Sequence, residues 1–413
     1  MNDQRICAVI NIGILATPKG LKAKAGTQQG EILSLKNAYL LIEDGFIKEL
    51  GTGTPDLTGI KADQILDAGG RLVTPGLVDA HTHLVFGGWR AHELQQKLAG
   101  VPYLDILAAG GGILNTVGQT RKATENELFN KAAKALDGMI ALGTTTVEAK
   151  SGYGLDLENE LKQLRVAKQL DERHLVDVVS TLMVAHAVPS EYKHNRNAFL
   201  DLILNTIIPA VAQENLAAFC DVFCETGVFD VAESKAILLC AQAHGMRSKI
   251  HADEIDAIGG SELAGELKAI SAEHLIALQD SGIASLKTGG TIACLLPATS
   301  FYLGKPYARA QNLIAAGVPV AIASDFNPGS CPSYSLQFCM NLAAYNYRMS
   351  SEQVLTSVTL NAAAAIDKAK IIGSLEAGKL ADLVIWDAET LDFLFYRFGS
   401  NLVKSVVKRG ILV

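Results

Sequence analysis

The sequence predicts an α/β protein: a (β/α)8 TIM-like barrel with a small β-sandwich domain formed by both chain termini. Three observations carry this. Between about residues 75 and 365, near-continuous apolar segments alternate with stretches of helical periodicity, the pattern of a parallel sheet covered on both faces. Eight such segments fit a closed barrel. The two ends of the chain are instead short apolar runs separated by turn residues, which read as β-structure. A doubly wound open sheet is the alternative for the middle. No Gly-x-Gly-x-x-Gly follows the first strand, which weighs against a dinucleotide-binding version.

The N-terminal part has short apolar strands at residues 7–11 and 38–42, and Glu43-Asp44-Gly45 is a hairpin turn leading into Phe46-Ile47. The C-terminal stretches 381–387, 402–407 and 409–413 have the same character. These two ends, 1–70 plus 371–413, are assigned to one discontinuous β-sandwich domain, and 71–370 to the barrel. The barrel strands are placed at 72–84, 144–149, 176–186, 219–229, 248–253, 269–274, 291–297 and 318–325. Helices are placed at 125–142, 157–173, 232–244 and 260–266 among others. Gly110-Gly111-Gly112 reads as a flexible loop and lacks the Lys-Ser/Thr of a phosphate loop.

A chain of 413 residues with 49% hydrophobic content can fill a large core, and 19% charged residues exclude a disordered chain. The net charge of −7, with no Lys/Arg run, argues against nucleic acid or an anionic membrane as the main partner. No stretch reaches the ~18 apolar residues of a membrane span, and no signal peptide is expected. Seven scattered cysteines, mostly in apolar context, read as reduced core thiols and a cytoplasmic location. Cys220 and Cys224 lack the second pair that a zinc knot needs.

The chemistry begins at Asp79-Ala80-His81-Thr82-His83, where an apolar strand ends in His-x-His. Residues i and i+2 of a strand share a face, so His81 and His83 project together. Barrel chemistry sits at the C-terminal strand ends. His186, His251, His274 and Asp325 fall at later strand ends. Five of nine histidines on one rim are hard to explain as packing, since each buried imidazole needs polar partners. His81, His83, His251 and Asp325 supply three nitrogens and a carboxylate, a set for one divalent metal per chain, zinc or iron, with zinc favoured. Such an ion lowers the pKa of a bound water toward ~7. Asp325 is the candidate to take its proton. His274 is the candidate to orient or polarise, and Glu254 to relay a proton or hold a substrate N–H.

The Pro-Gly-Leu-Val-Asp-Ala-His-Thr-His pattern, the later strand-end histidines, the terminal Asp and the closing Gly373-Ser374-Leu375-Glu376-Ala377-Gly378 stretch resemble the amidohydrolase superfamily over nearly the whole chain. Many members carry a lysine on the fourth strand that bridges two metals. Residues 219–226 contain none, so the resemblance implies the one-metal branch. The loops His81–Arg90, 148–155, His251-Ala252-Asp253-Glu254 and 324–330 resemble members that open an imidazolone ring bearing a propionate tail. That resemblance implies a small anionic imidazolone substrate and a homodimer. Arg90 then offers a planar fork for the carboxylate. Asn327, Gly329 and Ser330 offer donors to the carboxylate or product, Tyr153 and His186 match positions that contact the ring or tail, and Tyr103 is a further candidate. Lys150 is read as structural or as support for the site. The rival readings are another one-metal amidohydrolase, such as a nucleobase deaminase, and a non-catalytic scaffold barrel.

Overall fold

A computed structural model describes residues 4–101 and 111–413. The chain opens with β1 (Gln4–Arg5), β2 (Ala8–Thr17), β3 (Leu33–Glu43), β4 (Phe46–Thr52), β5 (Ile65–Asp67) and β6 (Leu72–Pro75). The middle supplies β7 (Leu77–Asp79), β8 (Thr144–Lys150), β9 (Asp177–Ala185), β10 (Phe219–Cys224), β11 (Arg247–Ala252), β12 (Ser271–His274), β13 (Ile292–Leu295) and β14 (Val320–Ile322). It closes with β15 (Leu383–Trp386), β16 (Val403–Lys408) and β17 (Ile411–Leu412).

Strands β7 to β14 form one eight-stranded sheet in sequence order, every pair parallel. Its two edges meet beyond the last strand residues: Asp325 N donates to His81 O at 3.0 Å and His83 N to Phe326 O at 2.9 Å. The barrel therefore closes on the segment that carries the histidine pair. Ser324 reinforces the seam, donating from its hydroxyl to Asp79 at 2.5 Å and from its N–H at 3.0 Å.

The terminal segments form a nine-stranded sheet, with β15 paired to β6 and β6 to β2. Both chain ends thus meet in one β domain. Its core is Ile6, Val9, Ile12, Leu15, Leu40, Leu383 and Ile385. Trp386, fully buried, anchors β15 by donating from its indole N–H to Thr74 Oγ1 at 2.8 Å.

Several elements are shorter than their apolar runs. The run 72–84 is split: Leu72–Pro75 pairs in the terminal sheet and Leu77–Asp79 in the barrel. Gly76 is the joint, because a β-carbon there would stand 2.3 Å from Thr145 Oγ1. The run 219–229 is strand only to Cys224, and the run 291–297 ends where Pro297 opens a helix at its first turn, as proline favours. The long helices follow expectation. Glu125–Ala141 starts with a Thr124/Glu127 capping box, Leu157–Arg173 is capped by Asp156, and Val231–Ala243 has an Asp230/Glu233 box. Apolar β8 residues Val147 and Ala149 face outward onto Leu128, Leu136 and Met139, leaving the alternate residues for the barrel interior.

Candidate active site

The barrel closure sets the geometry. His81 and His83 leave β7 on an extended segment whose Thr82 bridges in parallel to Phe326. Their Nε2 atoms lie 3.5 and 3.7 Å from Asp325 Oδ1. His251, at the end of β11, brings its ring centroid to 4.6 Å from that of His81 and 5.7 Å from that of His83. His274, at the end of β12, lies 5.1 Å from His251 and 5.7 Å from His81 by the same measure. Asp325 and His274 are held at φ of 57° and 70°, a left-handed conformation that side-chain-bearing residues rarely adopt and that clusters at functional sites.

These side chains are buried, and burial pushes the imidazolium forms down. His81 and His83 are held well below the ordinary histidine range, first by burial and then by the charges around them. His274 falls to about 4 and His186 to about 3, burial again dominating. All four are therefore neutral at pH 7, with lone pairs to give. Burial pushes the Asp325 carboxyl up, opposed by His274 and by the Thr299 hydroxyl.

Several polar atoms of the cluster have no partner. His81 Nε2, His251 Nε2 and Asp325 Oδ1 are buried without a hydrogen bond, as are His83 Nδ1 and His274 Nδ1. Buried polar atoms are almost always satisfied, so this concentration of orphans marks a place for a ligand. Thr299 donates to Asp325 Oδ2 at 2.6 Å, which turns the other oxygen toward the histidines. Among the described residues, three groups with metal-compatible spacing share His81: His81, His83 and Asp325; His81, His251 and His274; and His81, Glu273 and Cys294. Three imidazoles and one carboxylate fit a divalent ion that prefers nitrogen and oxygen ligands.

Beneath the cluster lies a charged layer that the sequence reading did not assemble. Glu273 accepts from His81 Nδ1 at 2.9 Å, which fixes that ring with Nε2 as its lone-pair face. Asp221 Oδ2 stands 3.0 Å from His251 Nδ1. Lys150 pairs with Asp221 at 2.7 Å and with Glu148 at 3.0 Å. Lys249 reaches Glu148 at 2.8 Å and Glu273 at 3.4 Å. Contacts between β8 and β11, which are not neighbours, run across the barrel interior. Burial would raise the carboxyls of Asp221 and Glu273, but His251 and Lys150 hold the first down, and Lys249 and Lys150 the second. Burial also opposes charge on Lys150, but Asp221 and Glu148 hold its ammonium form above the ordinary lysine range. The available signal was a charged residue inside each apolar strand. Register alone decides which of them meet.

The candidate substrate residues lie against the cluster. His186 stacks on His83 at 4.8 Å between centroids, with Nδ1 3.1 Å from Gly152 O. Tyr153 lies 5.4 Å from His186 and 5.7 Å from His83. Glu254 Oε2 is 3.6 Å from His274 Nε2, and burial pushes its carboxyl up. Arg90 packs on the 325–331 turn, and its charge reaches His186. Tyr103 lies outside the described residues.

The turn is braced by its own asparagine. Asn327 Oδ1 accepts from Gly329 N at 2.8 Å and Ser330 N at 2.7 Å, while its Nδ2 donates to Asp325 O and Ser330 Oγ. The Asn327 amide and the two N–H groups are thus spent shaping the turn. The Ser330 hydroxyl accepts from Asn327, so its own proton is not used in that contact. The asparagine buys the Asp325 backbone its conformation, which a sequence of turn-forming residues could not reveal.

A barrel with a polar His/Asp cluster at the C-terminal strand ends defines a class, and comparison agrees with it. The amidohydrolase family model matches residues 72–413. The chain is 48% identical over 408 residues to the imidazolonepropionase of Alkaliphilus metalliredigens, covering 98% of this chain and 96% of that one. It is 50% identical over 410 residues to that of Fusobacterium nucleatum, covering 98% and 97%. Among solved structures, the guanine deaminase of E. coli superposes with a TM-score of 0.74 at 15% identity over 98% of both chains. An adenosine deaminase from Xanthomonas campestris with bound zinc superposes at 0.69 and 18% identity, covering 98% and 92%. The chain belongs to the amidohydrolase family and, within it, to the imidazolonepropionases.

Proposed function

We propose that this chain opens the ring of 4-imidazolone-5-propanoate with water to give N-formimidoyl-L-glutamate, a step of histidine breakdown. The observation that carries the reading is the near-half identity to imidazolonepropionases along 98% of the chain. The geometry agrees: donors for one metal lie beside an aromatic wall and a guanidinium suited to an anionic tail.

His81, His83, His251 and Asp325 would hold one divalent metal. Zinc is favoured over iron, in keeping with the nitrogen-rich set and with the zinc of the Xanthomonas neighbour. When bound, the ion supplies a nucleophilic water at neutral pH and positive charge beside the scissile carbonyl. Asp325 takes the proton of the attacking water, its other oxygen steadied by Thr299. His274 polarises the ring carbonyl as its oxygen gains charge. Tyr153 and His186 pack the ring, and Arg90 with the Ser330 hydroxyl holds the propionate. The new carbon–oxygen bond forms, the ring carbon–nitrogen bond breaks, and the leaving nitrogen takes a proton from Glu254 or Asp325. The raised carboxyl of Glu254 suits a proton donor. The protein is proposed to act in the cytoplasm as a homodimer. Its five buried cysteines support a reducing compartment.

The test is product identification from metal-loaded protein together with Glu254→Gln. The account expects N-formimidoyl-L-glutamate from the native chain, and a kcat lower by about 10²-fold or more in the variant with metal content unchanged. Turnover of a purine or cytosine in place of the imidazolone would move the chain to a deaminase reading.

A further inference from the structure

Arg90 does not stand alone. Its guanidinium lies against the Gly329 backbone, so close that a β-carbon on Gly329 would fall 0.9 Å from Nη2. The Arg90 side chain is 9% exposed, and its Nε has no hydrogen-bond partner. At the same residue, Lys97 donates from Nζ to the Gly329 carbonyl oxygen at 2.9 Å. Between the two cations sits Glu93, 1% exposed, with Oε2 3.8 Å from Arg90 Nε and 3.2 Å from Lys97 Nζ. Glu93 Oε2 also lacks a hydrogen bond, while Oε1 accepts from Gly112 N at 2.7 Å.

The charges do not cancel. Two cations face one carboxylate, so the cluster carries a surplus positive charge. The Lys97 ammonium has three protons, of which the Gly329 carbonyl takes one and Glu93 attracts another. The buried Arg90 Nε–H is an unspent donor. A buried donor and an unbalanced positive charge are satisfied together by one anionic group, and carboxylate is the anion that a guanidinium fork and an ammonium hold best.

We infer that Lys97 is a second cation for the substrate's carboxylate and that Glu93 is a positioning residue holding Arg90 and Lys97 against Gly329, so that the cluster selects ligands with a single short carboxylate tail. This rests on the imidazolone propanoate reading for the identity of the ring, but not for the identity of the tail.

The test separates the two. The probes are imidazole-4-propanoate, which has a ring and tail but no carbonyl to hydrolyse, and its tail amide. Their binding is measured by calorimetry on the metal-loaded native protein and on Lys97→Met and Lys97→Arg, alongside turnover of 4-imidazolone-5-propanoate. The native protein is expected to favour the carboxylate over the amide by at least about tenfold. Lys97→Met should lose most of that preference and raise KM with kcat little changed, and Lys97→Arg should restore it. An unchanged preference in Lys97→Met, or none in the native protein, overturns the inference. If the carboxylate preference depends on Lys97 while the imidazolone is not turned over, the clamp stands and the reaction assigned above falls.

Discussion

At Gly329 the absence of a side chain is a requirement of its neighbour, because the Arg90 guanidinium fills the place of a β-carbon. Gly329→Ala must push Arg90 aside, and a misplaced clamp on a reacting substrate costs about 10²-fold in kcat/KM. The loss should appear mainly in KM, with far-ultraviolet dichroism unchanged. Native kinetics in that variant would show that Arg90 is not the clamp. Glu273 carries a second expectation. It holds His81 by Nδ1, and removing such a support typically costs about 10–100-fold in metal affinity. Glu273→Gln should therefore hold its metal more weakly in competition with a chelator, and equal affinity would contradict the role. At this scale the sequence was most informative where residue type alone limits the chemistry. His81, His83, His251, His274 and Asp325 could be singled out from strand ends, and they converge. Asn327 is less legible, because an amide in a turn serves the turn or the ligand equally well until its partners are known.

Among the elements, the helix Glu125–Ala141 does more than cover the barrel. Its Lys131 places Nζ 3.8 Å from the centroid of Phe86 and 4.4 Å from that of Trp89, and it donates to the Gly88 carbonyl. It thereby ties down the loop between His83 and Arg90. Burial pushes the Lys131 ammonium down to about 7. A free lysine titrates near ~10.4, so the unfolded chain binds this proton more tightly than the folded one. Stability should accordingly rise as pH climbs from about 7, and level off near ~10. Lys131→Met should remove that rise in denaturant midpoints measured across the range, and parallel curves for the two proteins would contradict it. The existence of the elements was legible from periodicity, since long capped helices and apolar strands carry strong local signals. Their ends were less so. The run 72–84 gives no local sign that Gly76 hands the chain from one sheet to another, because both halves are equally apolar.

For the molecule as a whole, the barrel brings together two layers of charge chemistry. The upper layer is the His/Asp cluster. The lower is Glu148, Lys150, Asp221, Lys249 and Glu273, three carboxylates against two ammoniums, a net negative floor beneath the proposed cation. Fold class and the joining of both termini were readable from the alternation of segments. The lower layer was not, since it depends on how strands β8, β10, β11 and β12 stagger around the barrel. The central claim is that this one site both holds a metal and hydrolyses a small anionic imidazolone. The most direct measurement is turnover of 4-imidazolone-5-propanoate by the purified protein, with metal content determined on the same sample before and after chelation. The account predicts about one divalent ion per chain, turnover that disappears on chelation, and recovery when the metal is returned. Full metal occupancy without turnover of this substrate would contradict it.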